Sequence, residues 1–138
     1  MSDSIAAAQV RTGACLCKKI AFTVAGEPDD PHICACPHCS TRGGSPFQWW
    51  VGFLTANLTW TGTGQLTWYD TYPGKTARGF CGSCGTHIAA RDYDNDTIIG
   101  ILATALDDRS DPALTPTNLN RIPEAAPWLA AAPAYSAG

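Results

Sequence analysis

The stretch Gly79-Phe80-Cys81-Gly82-Ser83-Cys84-Gly85-Thr86-His87-Ile88-Ala89 carries the first decision about the fold. Two cysteines separated by two residues can turn both thiolates onto one ion, with backbone amides directed at the sulfurs. Gly82 and Gly85 give the chain the freedom that so tight a knuckle needs. The residues after Cys84 matter equally. A redox C-x-x-C of the thioredoxin kind lies between a strand and a helix. Thr86-His87-Ile88-Ala89 reads instead as a strand, so the pair reads as a metal clamp at the head of a β-strand.

The other cysteines extend this reading. Seven are present: Cys15 and Cys17 as C-x-C, Cys34, Cys36 and Cys39 as C-x-C-x-x-C, and Cys81 with Cys84. Disulfides fit poorly, because the number is odd and a C-x-C bridge is strained. The opening Met-Ser-Asp-Ser-Ile-Ala-Ala-Ala-Gln has no basic start leading into an apolar stretch, so it does not read as a secretory signal. No apolar run approaches the roughly 20 residues that span a bilayer. The expected compartment is the cytoplasm, where thiols stay reduced and clustered cysteines serve metals. Seven ligands divide naturally into a closed structural set of four and an open catalytic set of three. The triple group can supply three ligands alone. The two pairs would then form a four-thiolate site stapling the N-terminal strand to the central hairpin. A second partition joins Cys81 and Cys84 to two members of the triple group, with a histidine completing another site. His32, His38 and His87 lie near enough in sequence to be ligands or catalytic groups, and each is equally readable as a polar loop or strand residue.

Composition sets the frame for these clusters. A chain of 138 residues fits one domain with a real core. Hydrophobic residues make up 45% and charged residues 15%, which argues against disorder. A net charge of -3 without a basic run argues against nucleic acid as a partner. The expected organisation is a flexible leader over 1–9, a zinc-binding domain over 10–129 and a flexible tail over 130–138. Trp128 is expected to pin the C-terminal segment to the body, because an exposed indole forfeits roughly 2 kcal/mol or more of burial energy.

Within the domain the apolar residues recur with period two. Ile20, Phe22 and Val24 alternate with smaller residues, as do Phe47, Trp49, Val51 and Phe53. Further strands are expected over Gln65–Tyr69, Ala77–Phe80 and His87–Asp92, with a β-branched run over Thr97–Leu106 buried on both faces. Gly26-Glu27-Pro28, Thr61-Gly62-Thr63-Gly64, Pro73-Gly74 and Asp94-Asn95-Asp96 mark the turns. No helical stripe is sustained. The fold class is therefore all-β, in small packed antiparallel sheets, with at most short helical turns near Ser40–Gly43 and Asp107–Asp111.

Four segments together resemble a known family. They are Gly13-Ala14-Cys15-Leu16-Cys17, Cys34-x-Cys36-x-x-Cys39, Gly44-Ser45-Pro46-Phe47 and Gly79-Phe80-Cys81-Gly82-Ser83-Cys84-Gly85-Thr86. The family is that of glutathione-dependent formaldehyde-activating enzymes, which also contains centromere protein V. The similarity runs from Gly13 to Leu129 and includes Leu106-Asp107-Asp108 and Pro127-Trp128-Leu129. The resemblance implies a zinc-stapled β-tent and two zinc ions per chain. It makes Cys15, Cys17, Cys81 and Cys84 the structural ligands and Cys34, Cys36 and Cys39 the catalytic ones. It also implies carbon–sulfur lyase chemistry on a glutathione-like thiol and a small aldehyde or carbonyl adduct. The chain departs from the family pattern at Ala35, where many relatives carry His, and at Asn118, Leu119 and Asn120, where many carry His-Ile-Trp. Those departures bear on the identity of the substrate.

Magnitudes favour the same chemistry independently. Zinc on three thiolates carries a net charge of about -1 and is a weak Lewis acid. Bringing water from a pKa of about 15.7 to near neutrality is a large task. Bringing a thiol down from about 8.5 by one or two units is a small one. Such a site suits a substrate thiolate or a polarised carbonyl better than hydroxide. Glutathione is anionic, and so is the protein, so a local cation is needed. Arg42, just past the triple group, has the forked geometry for it, whereas Lys18 and Lys19 read as solvated surface charges. Trp49 and Trp50 must face opposite sides of one strand, one in the core and the other beside the site, with Gln48 on the face of Trp50. The catalytic candidates are Cys34, Cys36, Cys39 and His38, and the substrate-contact candidates are Arg42, Gln48 and Trp50. The partner expected is a small thiol or carbonyl compound, with neither nucleic acid nor membrane involved; the sequence leaves the oligomeric state open. The competing reading is a non-catalytic zinc domain that binds a protein or metabolite.

Overall fold

The computed structural model describes residues 9–121 and 126–128. Ten strands are present among them: β1 (Val10–Ala14), β2 (Ala21–Ala25), β3 (Asp29–Cys34), β4 (Gln48–Leu54), β5 (Leu58–Trp60), β6 (Leu66–Tyr72), β7 (Thr76–Cys81), β8 (His87–Asp92), β9 (Ile98–Leu102) and β10 (Asn118–Asn120). They form a three-stranded sheet in the order β1-β2-β5 and a seven-stranded sheet in the order β10-β3-β4-β9-β8-β7-β6. The architecture is the expected all-β one. One pairing departs from the antiparallel expectation: β10 runs parallel to β3, with Asn118 opposite His32 and Asn120 opposite Cys34. A three-residue strand reached after a long excursion can approach the sheet edge in that direction.

The period-two pattern sorts the two faces of the seven-stranded sheet. Along β4, Val51 and Phe53 enter the main core with Phe22, Val24, Ile88 and Ile101, and Trp49 packs against that core. Trp49 Nε1 also donates to the Leu114 carbonyl at 2.9 Å. Trp50 turns the other way and packs with Cys39 and Leu102 in a smaller cluster. Strand β7 divides in the same manner: Ala77, Gly79 and Cys81 are buried, while Thr76, Arg78 and Phe80 are only partly so.

A helix, α1 (Pro37–Gly43), begins one turn earlier than the expected Ser40–Gly43. Pro37 explains the start, since its fixed φ suits the first helical position and its missing N–H costs nothing there. Gly44, at φ 67°, closes the helix in the left-handed conformation that glycine adopts freely. The helical turn expected at Asp107–Asp111 is absent. Short 3-10 turns flank it at Ala103–Ala105 and Pro112–Leu114 instead. The second is set by Pro112 and by the Asp111 carboxylate, which accepts from the Ala113 amide at 2.9 Å. Strand β9 accordingly ends at Leu102 and does not reach Leu106.

Among the described residues near the chain's end, Trp128 is 60% exposed and Ala126 is buried. The expected indole anchor is therefore corrected. Residues 1–8 of the expected leader, and the tail from 130 onward, lie outside the described residues. No described helix is long and apolar enough to cross a membrane.

Candidate metal centres and their cavities

The cysteines gather into two groups, Cys15 with Cys17, Cys81 and Cys84, and Cys34 with Cys36 and Cys39. Within each group all the sulfurs lie within 4.8 Å of one another. The alternative partition, pairing Cys81 and Cys84 with the triple group, is not the one adopted.

The four-cysteine group sits where the two sheets meet. Cys15 follows β1, and Cys81 ends β7. The turn after Cys15 is held by Lys18, whose φ is 71° and whose amide donates to the Cys15 carbonyl at 3.1 Å. The knuckle after Cys81 is held by the Gly85 amide, which donates to the Cys81 carbonyl at 2.8 Å, with Gly85 at φ 81°. Amides also point at sulfur: Ile20 N lies 3.3 Å from Cys15 Sγ, and Cys84 N lies 3.4 Å from Cys81 Sγ. Sulfur separations are 3.5 Å for Cys15–Cys17 and 3.7 Å for Cys17–Cys81. Four thiolates held tetrahedrally at about 2.3 Å from zinc would stand about 3.8 Å apart. The donor set thus fits a tetrahedral ion of zinc's size and softness.

Electrostatics agrees. Four anionic sulfurs cannot share so small a volume without a cation, so protons distribute unequally over the thiols. The Lys19 backbone lowers Cys17, but burial and the thiols of Cys15, Cys81 and Cys84 outweigh it and push Cys17 up to about 11. The hydroxyl and backbone of Thr86 bring Cys84 down to about 5.

The triple group is assembled more locally. Cys34 ends β3, Cys36 is the N-cap of α1, and Cys39 lies in its first turn. The Cys36 carbonyl accepts from the amides of Cys39 and Ser40 at 2.9 and 2.7 Å. The Asn120 carbonyl accepts from Ala35 N at 2.8 Å, so the two places where the chain leaves the family pattern touch one another here. Burial pushes the Cys34 thiol up to about 12. Burial works the same way on Cys36, yet the Cys34 thiol and the amides of Cys39 and His38 bring it below the usual range.

Among the described residues, three cavities border α1, and two of them hold most of the site candidates. One, of about 370 Å³, opens onto Cys34 and Cys39 and is walled by His32, Trp50, Arg78 and Asp92, among others. The other, of about 710 Å³, is walled by His38, Arg42, Tyr69, Phe80 and His87, among others. Trp50 therefore stands beside the triple group. His38 stacks on Tyr72 with ring centroids 4.2 Å apart and belongs to the second cavity, away from the one that Cys34 and Cys39 reach. Arg42 also faces the second cavity. Gln48 is buried and reaches His87, with Nε2 3.2 Å from Nδ1.

Arg78 is the site residue that the sequence reading missed. Its Nη1 donates to Cys39 Sγ at 3.6 Å, and its guanidinium lies 5.1 Å from the Trp50 ring centroid. The contact joins residues 39 apart, through the order of strands in the sheet. The available signal was alternation along Arg78-Gly79-Phe80-Cys81: Arg78 must face away from the core that takes Cys81.

The comparisons with known proteins follow this geometry. A family model described as glutathione-dependent formaldehyde-activating enzyme matches residues 10–121. No curated protein matches. The crystal structure of a Rhodobacter sphaeroides protein is similar with a TM-score of 0.60 and 19% identity, covering 78% of this chain and 98% of that one. At that identity the likeness is one of fold.

Proposed function

The chain belongs to the glutathione-dependent formaldehyde-activating enzyme family, and from that premise we propose that it is a zinc-dependent carbon–sulfur lyase-type enzyme. It joins or separates a small thiol, of the glutathione kind, and a small aldehyde or carbonyl compound. In this reading each chain takes two zinc ions, a structural one on Cys15, Cys17, Cys81 and Cys84 and a catalytic one on Cys34, Cys36 and Cys39. In this reading the protein works in the cytoplasm, where thiols stay reduced and can serve metals.

The observation that carries the proposal is the difference between the two cysteine groups. Four sulfurs close one of them, whereas three gather in the other beside a cavity onto which Cys34 and Cys39 open. A zinc ion on those three thiolates would offer a fourth position, able to take a substrate thiolate and to polarise a carbonyl oxygen. The chain's own side chains supply the rest. Trp50 and Leu102 cover Cys39 on its buried side and exclude water there. Arg78 places a positive charge 3.6 Å from Cys39 Sγ and offsets the excess negative charge of three sulfurs. Trp50 forms an apolar wall against which the substrate's carbon atoms can lie.

Cobalt in place of zinc tests the proposal. A fourth sulfur strengthens the sulfur-to-cobalt charge-transfer absorption, so glutathione or a simpler thiol at millimolar concentration should raise it. An unchanged spectrum with every thiol would refute thiol binding and leave a non-catalytic zinc domain as the better reading.

A further inference from the structure

The seven-stranded sheet carries a row of residues that runs across its strands. Asp29 pairs with Gly52, Gly52 with Gly100, Gly100 with Ala90, and Ala90 with Arg78. Directly opposed residues share a face of the sheet. The row therefore presents a carboxylate, two bare backbones, a methyl group and a guanidinium. The adjacent row, His32, Trp50 and Leu102, stands taller. The missing side chains leave a trough beside the Trp50 indole, and this is the 370 Å³ cavity onto which Cys34 and Cys39 open. A Cβ at Gly100 would stand 3.4 Å from Trp50 Cε3 and 3.6 Å from Ala90 Cβ, which are ordinary contacts. Gly100 is not among the residues of positive φ either. Glycine weakens a strand interior and often marks a place where a ligand comes close. Neither backbone nor packing demands it at Gly100, and what it provides is the open floor.

Acceptors make up much of the remaining wall. Asp29, Asp30, Asp92 and Asn95 border the trough. The Asp29 carboxylate has no hydrogen bond or ion pair among the described residues. Asp92 accepts from the Thr76 hydroxyl at 2.9 Å through one oxygen, and Asp30 from the Asn118 amide at 3.1 Å through one of its own. The nearby cations do not cancel these charges. Arg78 is engaged with Cys39 and Trp50. Arg91 also borders the trough, but its guanidinium lies 4.0 Å from the ring of Trp68, which packs against the main core. The trough is thus apolar along Trp50 and anionic beyond it. Such a wall repels an anionic thiol or a carboxylate-bearing aldehyde and favours groups that donate hydrogen bonds. Size points the same way. Formaldehyde has two heavy atoms, equivalent to about 60 Å³ if each is given the volume of a water, whereas the trough has the volume of a small-molecule site.

We propose that this trough receives the carbonyl compound and selects small hydroxyaldehydes over formaldehyde, with Gly100 setting the room and the acidic wall accepting from the substrate hydroxyl. This rests on the proposed thiol chemistry and names its carbonyl partner. The step is a balanced addition. A sulfur lone pair of the thiolate forms the C–S bond, and the C=O π pair moves onto oxygen. That oxygen takes from solvent a proton equivalent to the one the thiol gave up. Nothing is oxidised or reduced, and the reverse step releases the aldehyde.

The test measures adduct formation on the zinc-loaded protein, with glutathione and with 2-mercaptoethanol. Each rate is divided by the spontaneous rate of the same pair, which removes the aldehyde's own reactivity and hydration. Glycolaldehyde carries the hydroxyl, propanal has as many heavy atoms without it, formaldehyde lacks the chain, and glyoxylate carries a carboxylate. A hydrogen bond to a charged acceptor predicts an acceleration about tenfold or more greater for glycolaldehyde than for propanal. Glycolaldehyde should also exceed formaldehyde, and glyoxylate should be the poorest of the larger three. In Gly100→Val the glycolaldehyde-to-formaldehyde ratio should fall about tenfold or more. Gly100→Ala should lower it less, and serves if the valine variant does not fold. Ligand-detected NMR of glycerol, which has hydroxyls and no carbonyl, reads the trough without turnover; its signal should weaken in either variant. Equal acceleration of glycolaldehyde and propanal, or a ratio unchanged in the folded Gly100 variants, would overturn the inference and leave the thiol chemistry standing. Glycerol binding that depends on Gly100, with no turnover of any aldehyde by either thiol, would keep the hydroxyl-binding trough and overturn the thiol chemistry. Neither binding nor turnover would overturn both.

Discussion

Replacing Cys81 by Ser should unfold the domain, whereas replacing Cys36 by Ser should leave it folded. The two cysteines differ in what surrounds them. Cys81 is 2% exposed, and with Cys15 it belongs to the main core that also contains Phe22, Ile88 and Leu106. Its group ties the end of β1, in one sheet, to the β7–β8 connection in the other. A closed structural zinc contributes on the order of 10 kcal/mol to folding. A domain has a net stability of about 5–15 kcal/mol, so losing one ligand of the closed set consumes most or all of it. Cys36 is half-buried and borders a smaller cluster. It is also the N-cap of α1, where it makes no side-chain bond to the helix and where serine is a preferred residue. Cys36→Ser therefore loses a metal ligand but gains a cap worth about 1 kcal/mol. Its net cost should not exceed about 3 kcal/mol, or roughly 12 °C in melting temperature for a chain of this size. Thermal melts and elemental analysis decide the matter. The expected results are no cooperative transition for Cys81→Ser, and a cooperative one with about one metal equivalent for Cys36→Ser. Equal loss of stability in the two variants, or two equivalents of metal retained by both, would refute the division of roles.

Two further outcomes follow from local geometry. A Cβ at Gly13 would stand 2.3 Å from Phe22 Cζ and 2.6 Å from the Ala105 carbonyl oxygen. Gly13→Ala should therefore cost about 1–3 kcal/mol, seen as a lower melting temperature; an unchanged melt would show that Phe22 repacks freely. Burial first, then Arg42 and Arg78, hold His87 below its usual value, so the folded protein binds that proton more weakly than the unfolded chain. This effect on stability is absent above the unfolded pKa of about 6.5. Below it, stability falls progressively down to the depressed folded value. Melting temperatures between pH 7.5 and 5 should show the decline, and His87→Gln should flatten it; an identical slope in the variant would mean that another group titrates.

The sequence showed most clearly what short-range chemistry determines. C-x-C and C-x-x-C bring sulfurs together within one turn of chain, so the triple group and each pair could be read from spacing. The joining of the two pairs, with Cys17 and Cys81 64 residues apart, was one of two partitions that the spacing allowed and was implied by the family resemblance. Trp49, Trp50 and Val51 disclosed their faces because β4 is regular. Strand β3 did not disclose itself: its ladder with β4 shifts between Asp29 and His32, Asp30 sits at φ 46°, and the apolar period is lost there. The early start of α1 was legible in Pro37, which follows the N-cap directly. Arg78 could not be placed, because its contact with Cys39 needs the sheet order β4-β9-β8-β7 to be known first. Trp128 misled for a related reason. Hydrophobicity states the cost of exposure but not whether the fold leaves a surface to relieve it, and here Ala126 takes the buried position.

The two cysteine groups are separate in space but not independent. Strand β7 presents Cys81 to the core and, three residues earlier on its other face, Arg78 to the cavity of the triple group. The Thr86 hydroxyl lies 3.2 Å from Cys84 Sγ and accepts from the Leu16 amide at 3.1 Å. The next residue is His87, which fixes Arg42. The four-cysteine knuckle thus sets where β8 begins, and the start of β8 sets where His87 meets α1. Strand alternation turns a single structural anchor into the placement of two arginines on the opposite face. An ion at the four-cysteine group would stabilise the fold and, through β7 and β8, the charge distribution of the cavities beside α1.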